Sequence, residues 1–279
     1  LFDLDHTLIP ADSDHAWGQF LVNRGEVDGH AYAAANDRFY QQYRDGTLDI
    51  ELYLRFALAP LARIEAGRLL ELQQAFMREV IEPLIKPQAL DLVRKHQERG
   101  DVCLMITATN EFVTTPIAAR FGIEHLIACG VERIDGRYTG RPQGIASFRE
   151  GKVTRLVQWI EAKGYQAESL LGQASFYSDS ANDIALLERV GFPVATNADS
   201  RLRAHAHAKG EQVAVRAQQR GGERPELVRL KWHPVQPRGG VVPARHPQRE
   251  DDRRVVDQNI NGAQFFFNLR YQTINHRWI

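Results

Sequence analysis

The chain opens with Leu1-Phe2-Asp3-Leu4-Asp5-His6-Thr7, in which two apolar residues precede an Asp-x-Asp-x-Thr pattern. Its apolar start is typical of a buried strand in a parallel sheet, where both faces are covered. Asp3 and Asp5 then stand at the carboxyl end of that strand, where open α/β sheets bind ligands. Two carboxylates this close repel each other unless a cation or a donor satisfies them. Mg²⁺ fits, because it binds through one or two carboxylates together with phosphate.

A simpler interpretation of the same stretch is an aspartate-rich turn whose side chains hydrogen-bond their own backbone. The motif is too short to distinguish the two interpretations by itself. The choice depends on whether suitable partner residues follow downstream, at the ends of strands or the starts of helices.

Composition narrows the class of protein. The 279 residues carry 35 basic and 35 acidic side chains, so no overall field favours nucleic acid or a membrane as a partner. No stretch approaches the ~18 consecutive apolar residues of a membrane span. Cys103 and Cys129 cannot form a disulfide framework and suit a reducing compartment, which predicts a cytoplasmic location. The chain opens on Leu1 without a methionine, so we expect further residues ahead of it.

Residues 13 to about 84 are predicted to be helical throughout, with turn signals between the helices. Ser13 or Asp14 can cap the first of them. The predicted helices cover residues 15–22, 29–43, 50–58 and 63–80. A crossover between parallel strands needs only about a dozen residues, so this longer insertion is predicted to form a separate cap, residues 13–84, over the strand ends.

From residue 85 onward the pattern alternates strands with helices, which predicts an α/β fold with a doubly wound parallel sheet. An Asp135-Gly136 turn predicts a hairpin within residues 123–140. Other strands are predicted at 101–106, 174–177 and 191–195, and helices at 87–97, 111–121, 153–163, 184–190 and from 200 to about 209. The catalytic core is therefore predicted to comprise residues 1–12 and 85–209.

Four features at strand ends or helix starts carry complementary chemistry. They are the pair Asp3 and Asp5, Thr107, Lys152, and the pair Asp179 and Asp183. A carboxylate can attack phosphorus to give an aspartyl-phosphate that water later cleaves. The rest of phosphoryl transfer consists mainly of positioning and of neutralising charge on the phosphoryl oxygens.

This chemistry assigns a role to each catalytic candidate. Asp3 is the nucleophile, and Asp5 protonates the leaving alkoxide and later activates water. Thr107 donates to a phosphoryl oxygen near a helix N-terminus, and Lys152 neutralises phosphoryl charge. Taken alone, Thr107 could be a helix N-cap and Lys152 a solvated surface lysine.

The predicted Mg²⁺ ligands are Asp3, Asp5, Asp179 and Asp183, with Asp183 as either a ligand or a partner of one. Asp183, near the start of a predicted helix, could instead favour the helix dipole. The joint occurrence of all these features in this order favours a site over a set of unrelated residues.

With these motifs in place, the chain resembles the haloacid dehalogenase superfamily, in its phosphoserine-phosphatase-like branch (subfamily IB). The resemblance covers residues 1 to about 209. It is carried by Phe2-Asp3-Leu4-Asp5-His6-Thr7, Ile106-Thr107-Ala108-Thr109-Asn110, Gly151-Lys152 and Tyr177-Ser178-Asp179-Ser180-Ala181-Asn182-Asp183. It implies a Rossmann-like core, Mg²⁺, an aspartyl-phosphate intermediate and a cap that opens and closes. An aspartate two residues after the nucleophile resembles the phosphatases rather than the dehalogenases.

The resemblance also implies a substrate site. Phosphoserine phosphatases use a cap acid and a cap arginine to hold the amino-acid end of the substrate, and Asp12 and Arg55 are the candidates here. Where those enzymes carry two glycines, this chain has Ala108-Thr109-Asn110 after Thr107. The predicted substrate-binding residues are Asp12, Arg55, Thr107, Ala108 and Asn110.

The stretch Asp12-Ser13-Asp14-His15-Ala16-Trp17 is more similar to bacterial members described as histidinol-phosphate phosphatases. Histidinol phosphate has an amine and an imidazole but no carboxylate, which acids such as Asp12 and Asp14 beside an aromatic ring would suit. Trp17 could instead lie in the core of the cap. We therefore predict a Mg²⁺-dependent phosphatase of a small phosphorylated metabolite, with histidinol phosphate favoured. The alternatives are a phosphoserine phosphatase, a phosphotransferase, and a binding protein that uses its basic tail.

The tail, residues 210–279, differs in composition from the rest of the chain. It holds 12 basic and 7 acidic residues, a net charge of +5, so residues 1–209 carry −5. Its arginines, prolines and paired glycines favour disorder or a segment without an evolved fold. Its scattered acids make a nucleic-acid-binding arm the weaker interpretation.

Overall fold

The computed structural model describes residues 1–208. The helices are α1 (Ser13–Asn23), α2 (Gly29–Asp45), α3 (Ile50–Arg63), α4 (Ala66–Phe76), α5 (Glu82–Leu84), α6 (Pro87–Gln97), α7 (Glu111–Arg120), α8 (Glu150–Ala162), α9 (Ala167–Leu171), α10 (Ile184–Leu187) and α11 (Ser200–Ala208). The strands are β1 (Leu104–Asn110), β2 (His125–Ile134), β3 (Arg137–Gln143), β4 (Ser175–Ser178) and β5 (Phe192–Ala195). The predictions for residues 210–279 lie outside the described residues.

The opening segment of the chain, around Phe2 and Asp3, lies in the middle of a parallel sheet. Phe2 pairs in parallel with Met105 on β1 and with Tyr177 on β4. Its backbone N–H donates to the Leu104 carbonyl at 2.9 Å, and the Asp3 N–H donates to the Tyr177 carbonyl at 2.9 Å. Since β1 pairs in parallel with β2 and β4 with β5, the order across the sheet is β2, β1, the opening segment, β4, β5. The predicted parallel sheet is confirmed.

Helices cover both faces of this sheet because its strands are apolar on both faces. Phe2 and Met105 point to a core that α6 and α7 share with the helices of residues 13–84. Leu104, Ile106 and Phe176 point to the opposite core, which α8, α10 and α11 cover. This is the doubly wound arrangement that the alternation of strands and helices predicts.

The helices α1 to α5 lie between the opening segment and α6, and Trp17 is the centre of their packing. Trp17 is buried and contacts the rings of Phe20, Phe76 and Phe112, the last on α7 at 5.6 Å between centroids. Trp17 is therefore a core residue, and the alternative prediction that placed it there is the one the structure supports. The boundaries of a separate cap domain at residues 13–84 stay a prediction.

Two predicted helix boundaries in this region are wrong. Helix α3 continues through Pro60 to Arg63 instead of ending at Leu58, and α4 begins only after Glu65. The Glu65 carboxylate accepts a hydrogen bond from the Arg68 N–H at 3.1 Å, so it caps α4, whose start was predicted at Arg63. A π-helical turn, Met77–Ile81, then follows α4.

The predicted polar loop after the second strand is also wrong, because β1 continues through Thr107 to Asn110. Its pairing with β2 shifts register between Ile106 and Asn110, and such an irregularity re-aims side chains. The short helix α9 was not predicted.

The predicted hairpin of β2 and β3 is confirmed, with positive φ at both Asp135 and Gly136 as a tight two-residue turn requires. Within residues 1–208, none of the helices combines the length and apolar character needed to cross a membrane.

Candidate active site

A buried lysine joins two of the predicted aspartates. The Lys152 ammonium lies 2.9 Å from Asp3 Oδ1 and 2.7 Å from Asp183 Oδ1, and all three side chains are almost fully buried. Burial alone would lower the pKa of Lys152, but the charges of Asp183 and Asp3 outweigh it and raise the pKa. Lys152 therefore stays charged, and the interpretation of it as a solvated surface lysine is excluded.

Gly151 allows Lys152 to reach this position. A Cβ atom at residue 151 would stand 2.1 Å from the Ala146 carbonyl oxygen, so only glycine permits the backbone to approach so closely. Arg149, just before α8, has a positive φ of 50°, which a side chain rarely adopts. The close backbone packing at Gly151 and the conformation of Arg149 therefore fix the start of α8 so that Lys152 points toward Asp3.

Asp5 is held by donors on both of its oxygens. The Ser13 N–H, at the start of α1, donates to Oδ1 at 2.7 Å, and the Thr109 hydroxyl donates to Oδ2 at 2.8 Å. Burial and the Asp12 charge raise the pKa of Asp5 to about 6, against the opposing effect of the hydrogen bonds from Ser13 and Thr109. A carboxyl with a raised pKa suits proton transfer to a leaving group.

Sequence reasoning assigned no role to Thr109 and considered Ser13 only as a helix cap. Thr109 belongs to the quoted second motif, but the strand conformation of residues 107–110 is what turns its hydroxyl toward Asp5. Alternation of side chains along a strand could have supplied this signal, had the segment not been predicted as a loop.

The last two aspartates differ in what they contact. Asp183 accepts hydrogen bonds from Lys152 and, at 2.7 Å, from the Ser178 hydroxyl, so it holds the lysine in place. Asp179 lies nearer the opening loop, where the Thr7 hydroxyl is 3.4 Å from its Oδ1. Burial raises the pKa of Asp179, and the charges of Asp3, Asp183 and Asp5 raise it further.

The charge balance of this cluster fits a divalent cation. Asp3 and Asp183 contact one lysine, and Asp179 and Asp5 add two further acids close enough to Asp3 to repel it or each other. A site that is negative before a phosphate group arrives needs further positive charge to bind it. Within residues 1–208, no three His, Cys, Asp or Glu side chains form a ready-made metal cage. Mg²⁺ does not require one, because it binds through one or two carboxylates together with phosphate.

The predicted substrate-binding residues are placed differently from one another. Asp12 and Ala108 line the cavity beside Asp3. Thr107 is fully buried, and its hydroxyl accepts a bond from the Thr109 N–H at 3.2 Å. Thr107 is not the cap of α7, since Asn110 has that position. Arg55 is exposed on α3 and is not among the described residues that line the cavity.

The cavity beside Asp3 and Asp5 is acidic and aromatic. Among residues 1–208, the side chains that line it include no lysine or arginine. They are Asp3, Asp5, Asp12, Asp14, His15, Asn36, Phe39, Tyr40, Tyr43, Leu48, Ile50, Tyr53, Ala108 and Thr109. The aspartates come from the opening segment and α1, and most of the aromatic rings come from α2 and α3.

The end of α2 closes over this cavity and is tied to the sheet side of the site. The Asn182 amide donates to the Tyr43 carbonyl at 3.2 Å, and the Arg149 guanidinium donates to the Gly46 carbonyl. The space left inside is about 30 Å³, room for a few water molecules.

Known proteins resemble this chain over the described residues. The model of the haloacid dehalogenase-like hydrolase family matches residues 1–188. A histidinol-phosphatase of Neisseria meningitidis is 48% identical over 214 residues, which cover 76% of this chain and 96% of that protein.

Solved structures give the same result for the fold. A protein of unknown function from Bordetella pertussis has a TM-score of 0.70 and 47% identity, covering 76% of this chain and 95% of that one. A phosphoserine phosphatase, solved as an analogue of its phospho-aspartyl intermediate, has a TM-score of 0.54 and 20% identity. It covers 73% of this chain and 88% of its own, and at that identity it shows the fold alone.

Proposed function

The chain belongs to the haloacid dehalogenase-like hydrolase family and is a phosphatase, and from that premise we propose that it hydrolyses histidinol phosphate. We propose further that it acts with Mg²⁺ through an aspartyl-phosphate intermediate on Asp3. The observation that carries the choice of substrate is the acidic and aromatic lining of the cavity beside Asp3.

That lining favours a cationic substrate over an amino acid with a carboxylate. A phosphoserine carboxylate would be recognised best by a bidentate arginine, and Arg55 is exposed outside the cavity. Asp12 and Asp14 would instead repel such a carboxylate and attract an amine or an imidazolium group. The histidinol-phosphatase that is 48% identical supports the same choice.

In the proposed first step, a carboxylate oxygen of Asp3 attacks phosphorus while the bond from phosphorus to the ester oxygen breaks. Lys152 holds Asp3 Oδ1 at 2.9 Å, which leaves Oδ2 as the attacking atom. Asp5 gives its proton to the departing ester oxygen, and the alcohol leaves. Ser13 and Thr109 fix the Asp5 carboxyl for this transfer.

In the second step, Asp5 accepts a proton from a water molecule, which attacks the phosphorus of the aspartyl-phosphate. The bond between phosphorus and Asp3 breaks, and inorganic phosphate and the free Asp3 carboxylate are restored. Lys152 neutralises phosphoryl charge through both steps, and Asp183 keeps Lys152 in position.

Asp3 and Asp179 are the carboxylates we propose as Mg²⁺ ligands. When bound, the cation supplies charge that stabilises the phosphoryl oxygens in the transition state. The oxygens of Asp5 and Asp183, also predicted as ligands, already accept hydrogen bonds from protein donors. We therefore give these two residues proton transfer and lysine positioning instead.

The test is phosphate release from histidinol phosphate, measured against Mg²⁺ concentration for the wild-type protein, Asp3→Asn and Asp28→Asn. Asp28 is an exposed cap-region aspartate whose side chain makes no capping hydrogen bond, so its variant controls for the loss of one charge. We expect Mg²⁺-dependent release in wild type and Asp28→Asn, and background release in Asp3→Asn. Release that persists in Asp3→Asn, or that needs no divalent cation, would refute the proposal.

A further inference from the structure

We propose that Asp14 is a specificity-determining residue whose Oδ2 atom accepts a hydrogen bond from a protonated nitrogen of the substrate. The inference rests on the proposed function, since it assigns the group that recognises the cationic end of the same substrate. Asp14 is separate from Asp12, which already has a hydrogen-bonding role as the N-cap of α1.

Only one of the two carboxylate oxygens of Asp14 has a well-formed hydrogen bond. Its Oδ1 accepts a hydrogen bond from the Asn110 amide at 3.0 Å. Its Oδ2 is buried and has no partner at hydrogen-bonding distance and angle within residues 1–208, although the Tyr53 hydroxyl is close enough to this carboxylate to lower its pKa by hydrogen bonding. A buried polar atom without a partner is costly, so such an atom lining a cavity points to a ligand that supplies the partner.

Asn110 sets the direction in which Asp14 points. The side-chain oxygen Oδ1 of Asn110 accepts a hydrogen bond from the Val113 N–H at 3.2 Å and so caps α7, which leaves the side-chain nitrogen Nδ2 to donate to Asp14. Both residues are buried, and their side chains have little freedom to turn. Asn110, predicted to bind substrate, is thus a positioning residue that acts through Asp14.

The surroundings of Asp14 favour a cation over any other donor. Burial and the negative charges of Asp12 and Asp5 together raise the pKa of Asp14 to about 8, and hydrogen bonds from Tyr53 and Asn110 oppose this rise. A protonated nitrogen would relieve this repulsion, whereas a neutral hydroxyl would leave it in place. Aromatic rings such as Phe39, Tyr40 and Tyr53 line the same cavity and add the π-faces that attract cations.

The proposal is tested by the binding of histidinol, which carries the cationic groups without the phosphate. Isothermal titration calorimetry would compare the wild-type protein with Asp14→Asn, Asp14→Ser and the matched control Asp28→Asn. Asp14→Asn keeps the shape of the side chain and its acceptor for Asn110 but cannot ionise when a cation binds. Circular dichroism and the hydrolysis of n-butyl phosphate, an ester without nitrogen, show whether each variant keeps its fold and its chemistry.

We expect Asp14→Asn to weaken histidinol binding by about 10- to 100-fold, as for a lost charged hydrogen bond. Asp14→Ser should show a similar loss, while Asp28→Asn binds as wild type does. Hydrolysis of n-butyl phosphate should fall less than histidinol binding does in both Asp14 variants, because this ester has no nitrogen to pair with Asp14, and should stay at the wild-type level in Asp28→Asn.

Three results would overturn the proposal: no binding of histidinol to wild type, undiminished binding by folded Asp14 variants, or equal losses for histidinol and n-butyl phosphate. The proposed function fails by a separate result, the absence of histidinol phosphate hydrolysis in wild type. Binding of histidinol that depends on Asp14 would uphold the present inference even then.

Discussion

Two parts of the active site are built from the same residue type and differ in their counter-charge: an inner end around Asp3, Asp183 and Lys152, and an outer end at the cavity residues Asp12 and Asp14. At the inner end, Asp3 and Asp183 share the buried ammonium of Lys152 at 2.7 to 2.9 Å. At the outer end, Asp12 and Asp14 face aromatic rings, and no lysine or arginine of the described chain lines the cavity there. At the inner end, Lys152 neutralises part of the negative charge of the aspartates. At the outer end, a cationic ligand has to supply the neutralising charge.

The comparison shows that the role of a buried carboxylate depends on how many of its oxygens have protein hydrogen-bond donors. Asp183, with both oxygens bonded to protein donors, supports another residue. Asp14, with one oxygen left without a partner, is where a ligand completes the structure. Removing the charge of Lys152 at the inner end should therefore lower the stability of the protein, whereas replacing the ionisable Asp14 at the outer end should raise it.

The largest expected effect comes from breaking the inner end with Lys152→Met. Removal of one partner from a buried ion pair costs about 3–5 kcal/mol, because the other charges stay buried without compensation. We expect a loss of that size in urea-induced unfolding and phosphatase activity at background level. Lys163→Met, which removes an exposed lysine at the end of the same helix, is the control. Near-wild-type activity in Lys152→Met would show that the inner end does not need its lysine.

The next effect concerns the acid that lies between the two ends. Thr109→Val removes the hydroxyl that donates to Asp5 Oδ2 at 2.8 Å and keeps the shape of the side chain. A hydrogen bond to a charged group contributes about 1.5–3 kcal/mol, so kcat should fall by about 10- to 150-fold. The exposed Thr154 of α8 provides the matched control, Thr154→Val. Equal kcat values for the two variants would mean that Thr109 does not position Asp5.

The outer end predicts a stabilising substitution. Because the pKa of Asp14 is raised to about 8 from 3.8, the folded protein holds a proton that the unfolded chain releases. Wild-type stability should therefore fall as pH rises from about 4 to about 8, and Asp14→Asn should escape this part of the loss. Asp12, Asp5, Tyr53 and Asn110 face Asp14 and are unchanged in the variant.

Thermal unfolding at several pH values measures this effect. We expect the melting temperature of Asp14→Asn to exceed that of wild type at pH 8 and the difference to shrink toward pH 4. A gain of 1 kcal/mol corresponds to about 2–4 °C for a domain of this size. A difference that grows as the pH falls has the opposite sign and would contradict the account of the outer end.

The smallest effect is expected where α2 closes over both ends. Asn182→Ala removes the donor to the Tyr43 carbonyl and an acceptor near Arg149. One such bond contributes about 0.5–1.5 kcal/mol, so we expect a small loss of stability and a change of a few-fold in KM. Stopped-flow measurement of substrate binding would show whether association becomes faster when this tie is absent. An unchanged rate would mean that the tie does not limit entry.

Much of the fold followed from local sequence patterns. The apolar pair before Asp3 placed the opening segment in a parallel sheet, because such a strand has no polar face. The Asp135-Gly136 pair predicted a hairpin, because only certain residues accept positive φ at both positions. Helix ends were harder to predict, since a capping carboxylate such as Glu65 competes with a continuous apolar pattern.

Some residues of the site could likewise be predicted from the sequence, and others could not. Asp3 and Lys152 could be predicted because motif order brings them to one edge of the sheet, and the structure places them 2.9 Å apart. The support that Thr109 gives to Asp5 depends on the register shift within β1, which no short pattern encodes. Arg55 was predicted from its region alone, and the helix that carries it turns it toward solvent.

The most direct test of the account is the ratio of kcat/KM for histidinol phosphate to that for phosphoserine, measured side by side with Mg²⁺ present. The two esters share the phosphate and the amine, but histidinol phosphate has an imidazole where phosphoserine has a carboxylate. We predict a ratio of at least about 100, which corresponds to about 2.7 kcal/mol of discrimination at the outer end in favour of the imidazole ester over the carboxylate ester. Both activities should disappear in Asp3→Asn. A ratio near one, or a preference for phosphoserine, would contradict the claim that the outer end is reserved for a cation.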